Sequence, residues 1–189
     1  MATVRSGTRD ALVVIDVQRG VVADAWDRDR VVGNVGVAVD RARAAGVPVI
    51  WVQHSDGDLE LGSEAWRIVP ELAPRPDEVR VDKHYESSFE ETALEDALAD
   101  LGATRLVIAG AATNWCVRAT SYAALDRGYD LLLVQDAHTT DDLEFEDGHV
   151  VSASGIVDDL NAVLRWISFP GRSSGTAIAA ALWEEPPAG

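Results

Sequence analysis

Four short apolar runs constrain this chain more than anything else in it: residues 11–17, 47–53, 106–109 and 130–137. Each is too short for a helix and rich in valine, isoleucine or leucine, and none alternates as a half-wet strand would. Such runs read as strands buried on both faces. A fifth strand, 78–83, is short and alternates. Helical patterns lie between them. Residues 29–45 carry Val31, Val32, Val35, Val39 and Ala42 on one stripe and end at Gly46. A second helix, from 88 or 90 to 101, turns Leu94, Leu98 and Leu101 inward, and a third runs from 115 to 126 before Gly128. A fourth, 144–167, is interrupted near 152–155 and striped by Ile156, Leu160, Val163, Leu164 and Ile167. Strands alternating with helices in this way predict a doubly wound, Rossmann-like α/β fold. Its sheet is mostly parallel with helices on both faces, and 189 residues suit a single domain.

Open sheets of this kind place ligands beyond the carboxyl ends of their strands, and three reactive side chains fall there. Asp16 interrupts the first apolar run near its end, Lys83 closes the alternating strand, and Cys116, the only cysteine, follows the third run. Each has a plain structural reading, as a turn cap, a solvated charge or a core filler. Their convergence on one edge is what argues for chemistry. Gly110, Ala111 and Ala112 form a small-residue turn where backbone can approach a ligand, and Thr113 and Asn114 are residue types that cap helices. Cys116 is then expected in the first helical turn, where unpaired N–H groups and the helix dipole favour a thiolate. His54 reads as a polar wall or a metal ligand, but no second ligand stands at a fixed spacing, so no metal is expected. No glycine-rich phosphate loop occurs, and no nucleotide cofactor is expected.

The remaining segments are less specific. Residues 59–76 hold three prolines and only a short helical candidate at 64–68, which suggests a lid or an interface segment. Residues 138–142 read as a polar turn, and 171–180 as an edge strand or a loose arm. Residues 1–10 and 184–189 read as flexible tails. A net charge of −16 argues against nucleic acid or an anionic membrane as partner. One cysteine excludes an internal disulfide. With neither a signal-peptide pattern nor a membrane-length apolar run, a cytoplasmic location is expected.

Over residues 11–166 the chain resembles the isochorismatase-like cysteine hydrolase superfamily. The matching pieces are Asp16 and Gln18 after the first strand, Lys83 running into Ser87, Ser88 and Phe89, and the stretch from Gly110 through Asn114, Trp115 and Cys116 to Val117. Gly128, Tyr129, Asp136 and Ala137 continue the match. The resemblance implies an Asp16, Lys83 and Cys116 triad and a cis peptide at Ala111–Ala112. It also implies an oxyanion hole built from the N–H groups of Ala112 and Cys116. Gln18, Trp26, Gln53, Tyr85 and Trp115 become candidate substrate-binding walls. The Asp-x-His metal site of the family's nicotinamidases is missing, since Val52, Gln53 and His54 stand there, so neither metal nor cofactor is implied. A cysteine nucleophile favours C–N amide hydrolysis of a small molecule, with Asp16 taking the thiol proton and Lys83 and the helix start favouring the charged pair, a thiolate. Residues 62–66 and 161–171 look like metal-free bacterial members, streptothricin hydrolases among them. Family members are often dimers or tetramers, so a homo-oligomer is expected. The competing readings are a vinyl-ether hydrolase using Asp16 as its acid and an inactive binding protein of the same fold.

Overall fold

The structure is a computed structural model that describes residues 2–184. The apolar runs become β1 (Asp10–Ile15), β2 (Val49–His54), β4 (Arg105–Ala111) and β5 (Asp130–Thr139), and the alternating run becomes β3 (Val79–Lys83). Four helices, α1 (Arg28–Ala44), α2 (Leu94–Asp100), α3 (Arg118–Asp126) and α4 (Ala153–Trp166), lie between or after them. With β8 (Ser174–Ala177) the strands form one sheet in the order β3-β2-β1-β4-β5-β8, parallel at every pairing.

The period of two decides which side each residue serves. Leu12 and Val14 of β1, with Trp51, Val107 and Ala109, pack on α1 through Val32, Val35, Val39 and Ala42. Ala11, Val13 and Ile15, with Ile50, Val52 and Ile108, meet Leu94 and Leu98 of α2, Ala124 and Leu125 of α3, and Leu160 and Leu164 of α4. One helix therefore covers one face and three cover the other. Burying a branched aliphatic side chain is worth roughly 1.5–3 kcal/mol, so the five buried positions of β1 anchor both layers. Helix α1 is rich in valine, a modest helix former, and owes its stability to this packing. From β1 the order runs outward through β2 to one edge and through β4 to the other. The winding reverses between β1 and β4, and the carboxyl ends at such a switch point are where open sheets of this kind place ligands.

Several segments depart from the sequence expectation. Helix α2 starts only at Leu94, because the Thr92 hydroxyl donates to Ser88 O at 2.6 Å and accepts the Leu94 N–H, while Glu91 takes a left-handed conformation. Residues 144–152 are not helical. They form a small hairpin of β6 (Leu143–Glu144) and β7 (Val150–Val151) turning through Gly148, and Ser152 then caps α4 by accepting the Gly155 N–H. Strand β5 runs through His138 and Thr139, past a register shift, where a turn was expected. Residues 174–177 resolve the last ambiguity as an edge strand on β5.

The 64–68 segment is not a helix. It joins a strap laced to the loop after β1, with Arg19 N–H to Arg67 O at 2.9 Å, Gly20 N–H to Ala65 O at 2.8 Å and Val69 N–H to Val17 O at 3.1 Å. Near the amino end, expected as a tail, Thr3 and Val4 both donate to Gly128 O and Arg5 donates to Leu98 O and Ala103 O. Of the other expected tail, residues 185–189 lie outside the described residues. Among the described residues no helix is long and apolar enough to cross a membrane.

Candidate active site

Asp16 is the first residue past β1. Its backbone is left-handed (φ 50°), its N–H donates to Val52 O at 3.0 Å, and it is 1% exposed. Asp tolerates that region better than most residues, and such conformations gather at functional sites. Lys83 ends β3, two strands away, with its side chain wholly buried.

Cys116 arrives from β4 by a tight route. Gly110 (φ 129°) passes so close to β1 that a Cβ there would lie 1.9 Å from Ile15 O, so only glycine fits. The Ala111–Ala112 peptide is cis, as the resemblance implied. Thr113–Val117 then forms a single π-helical turn, with Val117 N–H to Ala112 O at 3.1 Å, before α3 begins. Cys116 thus sits in a π-turn and not at the start of an α-helix, and neither Thr113 nor Asn114 makes a side-chain cap. Their side chains bind the turn to the end of β5 instead. The Thr113 hydroxyl meets His138 Nδ1 at 2.9 Å, and the Thr140 hydroxyl donates to Asn114 Oδ1 at 2.6 Å. The Ala112 N–H has no acceptor among the described residues.

These elements bring the three predicted catalytic side chains together. Lys83 Nζ stands 2.8 Å from Asp16 Oδ2 and donates to Cys116 Sγ at 3.2 Å and to Tyr85 O at 3.1 Å. The Asp16 contact is an ion pair without good hydrogen-bond alignment, so neither carboxylate oxygen has a well-directed donor. Burial raises the Asp16 pKa, and the charge of Lys83 opposes that rise. Burial and then the charge of Asp16 push the Cys116 thiol up to about 12, against Lys83. The expected resting thiolate is therefore corrected. In this dry site desolvation and a neighbouring carboxylate outweigh one ammonium.

The candidate walls divide. Gln18 is buried, and its amide is fully used: Nε2 donates to His54 O and Trp66 O, and Oε1 accepts the His54 N–H. Gln53 is also buried and donates to Trp66 O at 3.0 Å. Both hold the strap against β1 and β2 from behind. Trp26, Tyr85 and Trp115 are exposed at the carboxyl edge, Trp115 most of all at 56%. Surface clefts around Val47, Pro48 and Leu101 lie at the opposite edge and hold none of these groups.

Two histidines carry more than the sequence suggested. His54 Nδ1 lies 3.2 Å from Lys83 Nζ. His138, read only as part of a polar turn, is buried between Thr113 and Asn161, whose Oδ1 is 3.1 Å from Nε2. Burial lowers its pKa to about 4, so it is neutral.

Residues 10–164 match the isochorismatase domain family. The chain belongs to the isochorismatase family. A streptothricin hydrolase of Streptomyces noursei is 35% identical over 164 residues, covering 82% of this chain. The chain spans only 61% of that relative's length. A ureidoacrylate amidohydrolase of Methylobacterium radiotolerans is 29% identical over 168 residues, 67% of this chain and 65% of that protein. Among solved structures, an isochorismatase of Pseudomonas putida KT2440 superposes with a TM-score of 0.82 at 28% identity, covering 94% of this chain and 93% of the other. The site lies within the part of the chain that matches the family.

Proposed function

We propose that this isochorismatase-family chain hydrolyses a C–N amide bond of a small molecule through a thioester on Cys116. The observation that carries the reading is one buried ammonium touching both partners, Asp16 at 2.8 Å and Cys116 at 3.2 Å. Two relatives whose names denote hydrolysis, of streptothricin and of ureidoacrylate, favour the same bond class.

The chemistry starts from a neutral thiol. Asp16 takes its proton as the sulfur attacks the amide carbon, and Lys83 stabilises the sulfur's developing charge. The raised pKa of Asp16 suits a group that must hold that proton through the step. The carbonyl oxygen becomes an oxyanion facing the N–H groups of Ala112 and Cys116. As the C–N bond breaks, Asp16 gives its proton to the leaving amine. It then takes one from water, whose oxygen attacks the thioester, and the carboxylic acid leaves as Cys116 recovers its proton. A histidine base is unnecessary here, and no cofactor enters any step.

A panel of small amides and lactams, streptothricin included, would be assayed for amine release with the parent and with Cys116→Ala and Asp16→Asn. Both variants are expected to lose at least about a thousandfold in kcat, and acid quenching of the parent should trap an acylated Cys116 by mass spectrometry. Turnover that survives in Cys116→Ala would overturn the thioester. Vinyl-ether hydrolysis with Asp16 as acid would then be the reading to test.

A further inference from the structure

The Lys83 ammonium has three hydrogens and four acceptors around it. Besides Asp16 Oδ2, Cys116 Sγ and Tyr85 O, it meets His54 Nδ1 at 3.2 Å. An imidazole nitrogen facing an ammonium has to present its lone pair, which puts the ring proton on Nε2. Nε2 in turn lies 3.0 Å from Asp56 Oδ2. Asp56 is itself held in place, because its Oδ1 accepts the N–H groups of Asp58 at 2.9 Å and Leu59 at 2.7 Å. The His54 backbone is clamped on both sides by the Gln18 amide. Neither end of the contact is loose.

We propose that Asp56 and His54 form an outer relay that positions the catalytic lysine: Asp56 fixes the tautomer of His54, and His54 Nδ1 holds the Lys83 ammonium against Asp16 and Cys116. This is the logic by which a carboxylate orients a histidine in other sites, with an ammonium where a metal or hydroxyl would stand. His54 and Asp56 are positioning residues, since neither touches the reacting atoms. The titratable groups about the ring are Lys83 on β3 and Asp56 on its own loop, with Asp16 and Cys116 on the far side of the ammonium. His84 is bound to Ser55 O at 2.8 Å. A second proton on His54 would set Nδ1–H against the ammonium, two donors facing each other, and Lys83 would lose that support.

The proposal rests on the hydrolase reading only for its kinetic arm. Nitrogen-15 NMR of histidine-labelled protein, with His54 assigned by its loss in His54→Gln, should show the Nε2–H tautomer. His54→Leu removes the acceptor and is expected to lower kcat by about tenfold or more, the usual cost of losing such an outer partner, with KM little changed. His54→Gln can still present an oxygen and should recover most of that loss. Asp56→Asn alters an exposed side chain and should fold. Its amide can donate to Nε2, which drives the ring proton to Nδ1, so kcat should fall and the NMR signature invert. Iodoacetamide labelling of Cys116 at pH 9 supplies a readout that needs no substrate. It should slow in His54→Leu and recover in His54→Gln.

An Nδ1–H tautomer in the parent, or parental labelling and kcat in folded His54→Leu and Asp56→Asn, would overturn the relay. If labelling responds as expected while no amide is turned over, the relay stands and the hydrolase reading fails. If amides are turned over equally by parent and variants, the reverse holds.

Discussion

Cys116 shows how one residue's position can be legible in a sequence while its chemistry is not. Asp16, Lys83 and Cys116 all lie at strand ends of a parallel sheet, so the pattern of apolar runs was enough to predict that they meet. Their protonation depends on how dry the meeting point is, and no spacing encodes that. A helix start beside a lysine suggested a thiolate, but burial and the Asp16 carboxylate push the thiol up to about 12. The parent should therefore label slowly with iodoacetamide at neutral pH, the rate climbing only in strongly alkaline buffer. Asp16→Asn removes the opposing charge and should shift the rise to lower pH, whereas Lys83→Met removes the favourable one and should shift it higher. Rapid parental labelling near pH 6 would show that the thiolate is already formed at rest. The sequence singled out His54 as a polar wall or a metal ligand but hid its partners, for a related reason. Its partners, Lys83 and Asp56, are set by strand pairing and a loop turn, not by any ligand-like interval.

At the scale of elements, the buried strands and α1 could be read because apolar periodicity reports burial directly. Two of the misread pieces, 88–93 and 144–152, are stretches where hydroxyls, carboxylates and glycine compete with the helix for backbone hydrogen bonds. The link between β5 and the Cys116 turn was also hidden, because Thr113, His138 and Asn161 come from three elements. It has a pH signature. Burial holds the His138 pKa at about 4, below its ordinary 6.5. The unfolded chain therefore binds a proton that the native one refuses. Stability from this source is complete above pH 6.5 and falls as pH drops toward 4, by up to about 3 kcal/mol. Melting temperatures between pH 4 and 7 should fall less steeply for His138→Gln than for the parent. Parallel curves would remove His138 from the acid response.

Glu78 acts in a lower window at the other edge of the sheet. Burial alone would raise its pKa, but Arg43, the Arg75 N–H and Trp51 Nε1 hold it at about 2. The stability it contributes is present above pH 4.5 and lost as pH falls toward 2. Glu78→Gln should cost about 2 kcal/mol at pH 7, read from urea midpoints. The cost should shrink toward pH 2, where the parent's own carboxyl becomes protonated.

For the whole molecule, the net charge of −16 is plain in the sequence, but where it gathers is a property of the fold. Part of it stands beside the candidate site. Trp26 N–H donates to Thr140 O at 3.0 Å, and Thr140 reaches Asn114 in the Cys116 turn, so the loops after β1 and β5 meet beside the candidate site. Those loops carry Asp24, Asp141 and Asp142. The pKa of Asp141 is raised by partial burial and then by the charges of Asp24 and Asp142, which places Asp141 within the field of the other two carboxylates. A negative rim over the half-buried Cys116 raises the local concentration of cations and speeds their arrival. A cationic amide should therefore show a higher kcat/KM than its neutral isostere at 0.1 M salt. Between 0.1 M and 1 M the screening length shrinks from about 10 Å to about 3 Å. The cationic advantage should fall by about tenfold over that range, through kcat/KM and not kcat. Asp24→Asn with Asp142→Asn should remove part of the advantage at low salt, leaving the neutral amide unaffected. If salt changes both substrates equally, or the double variant changes neither, the rim does not steer substrate and the charge serves the surface as a whole.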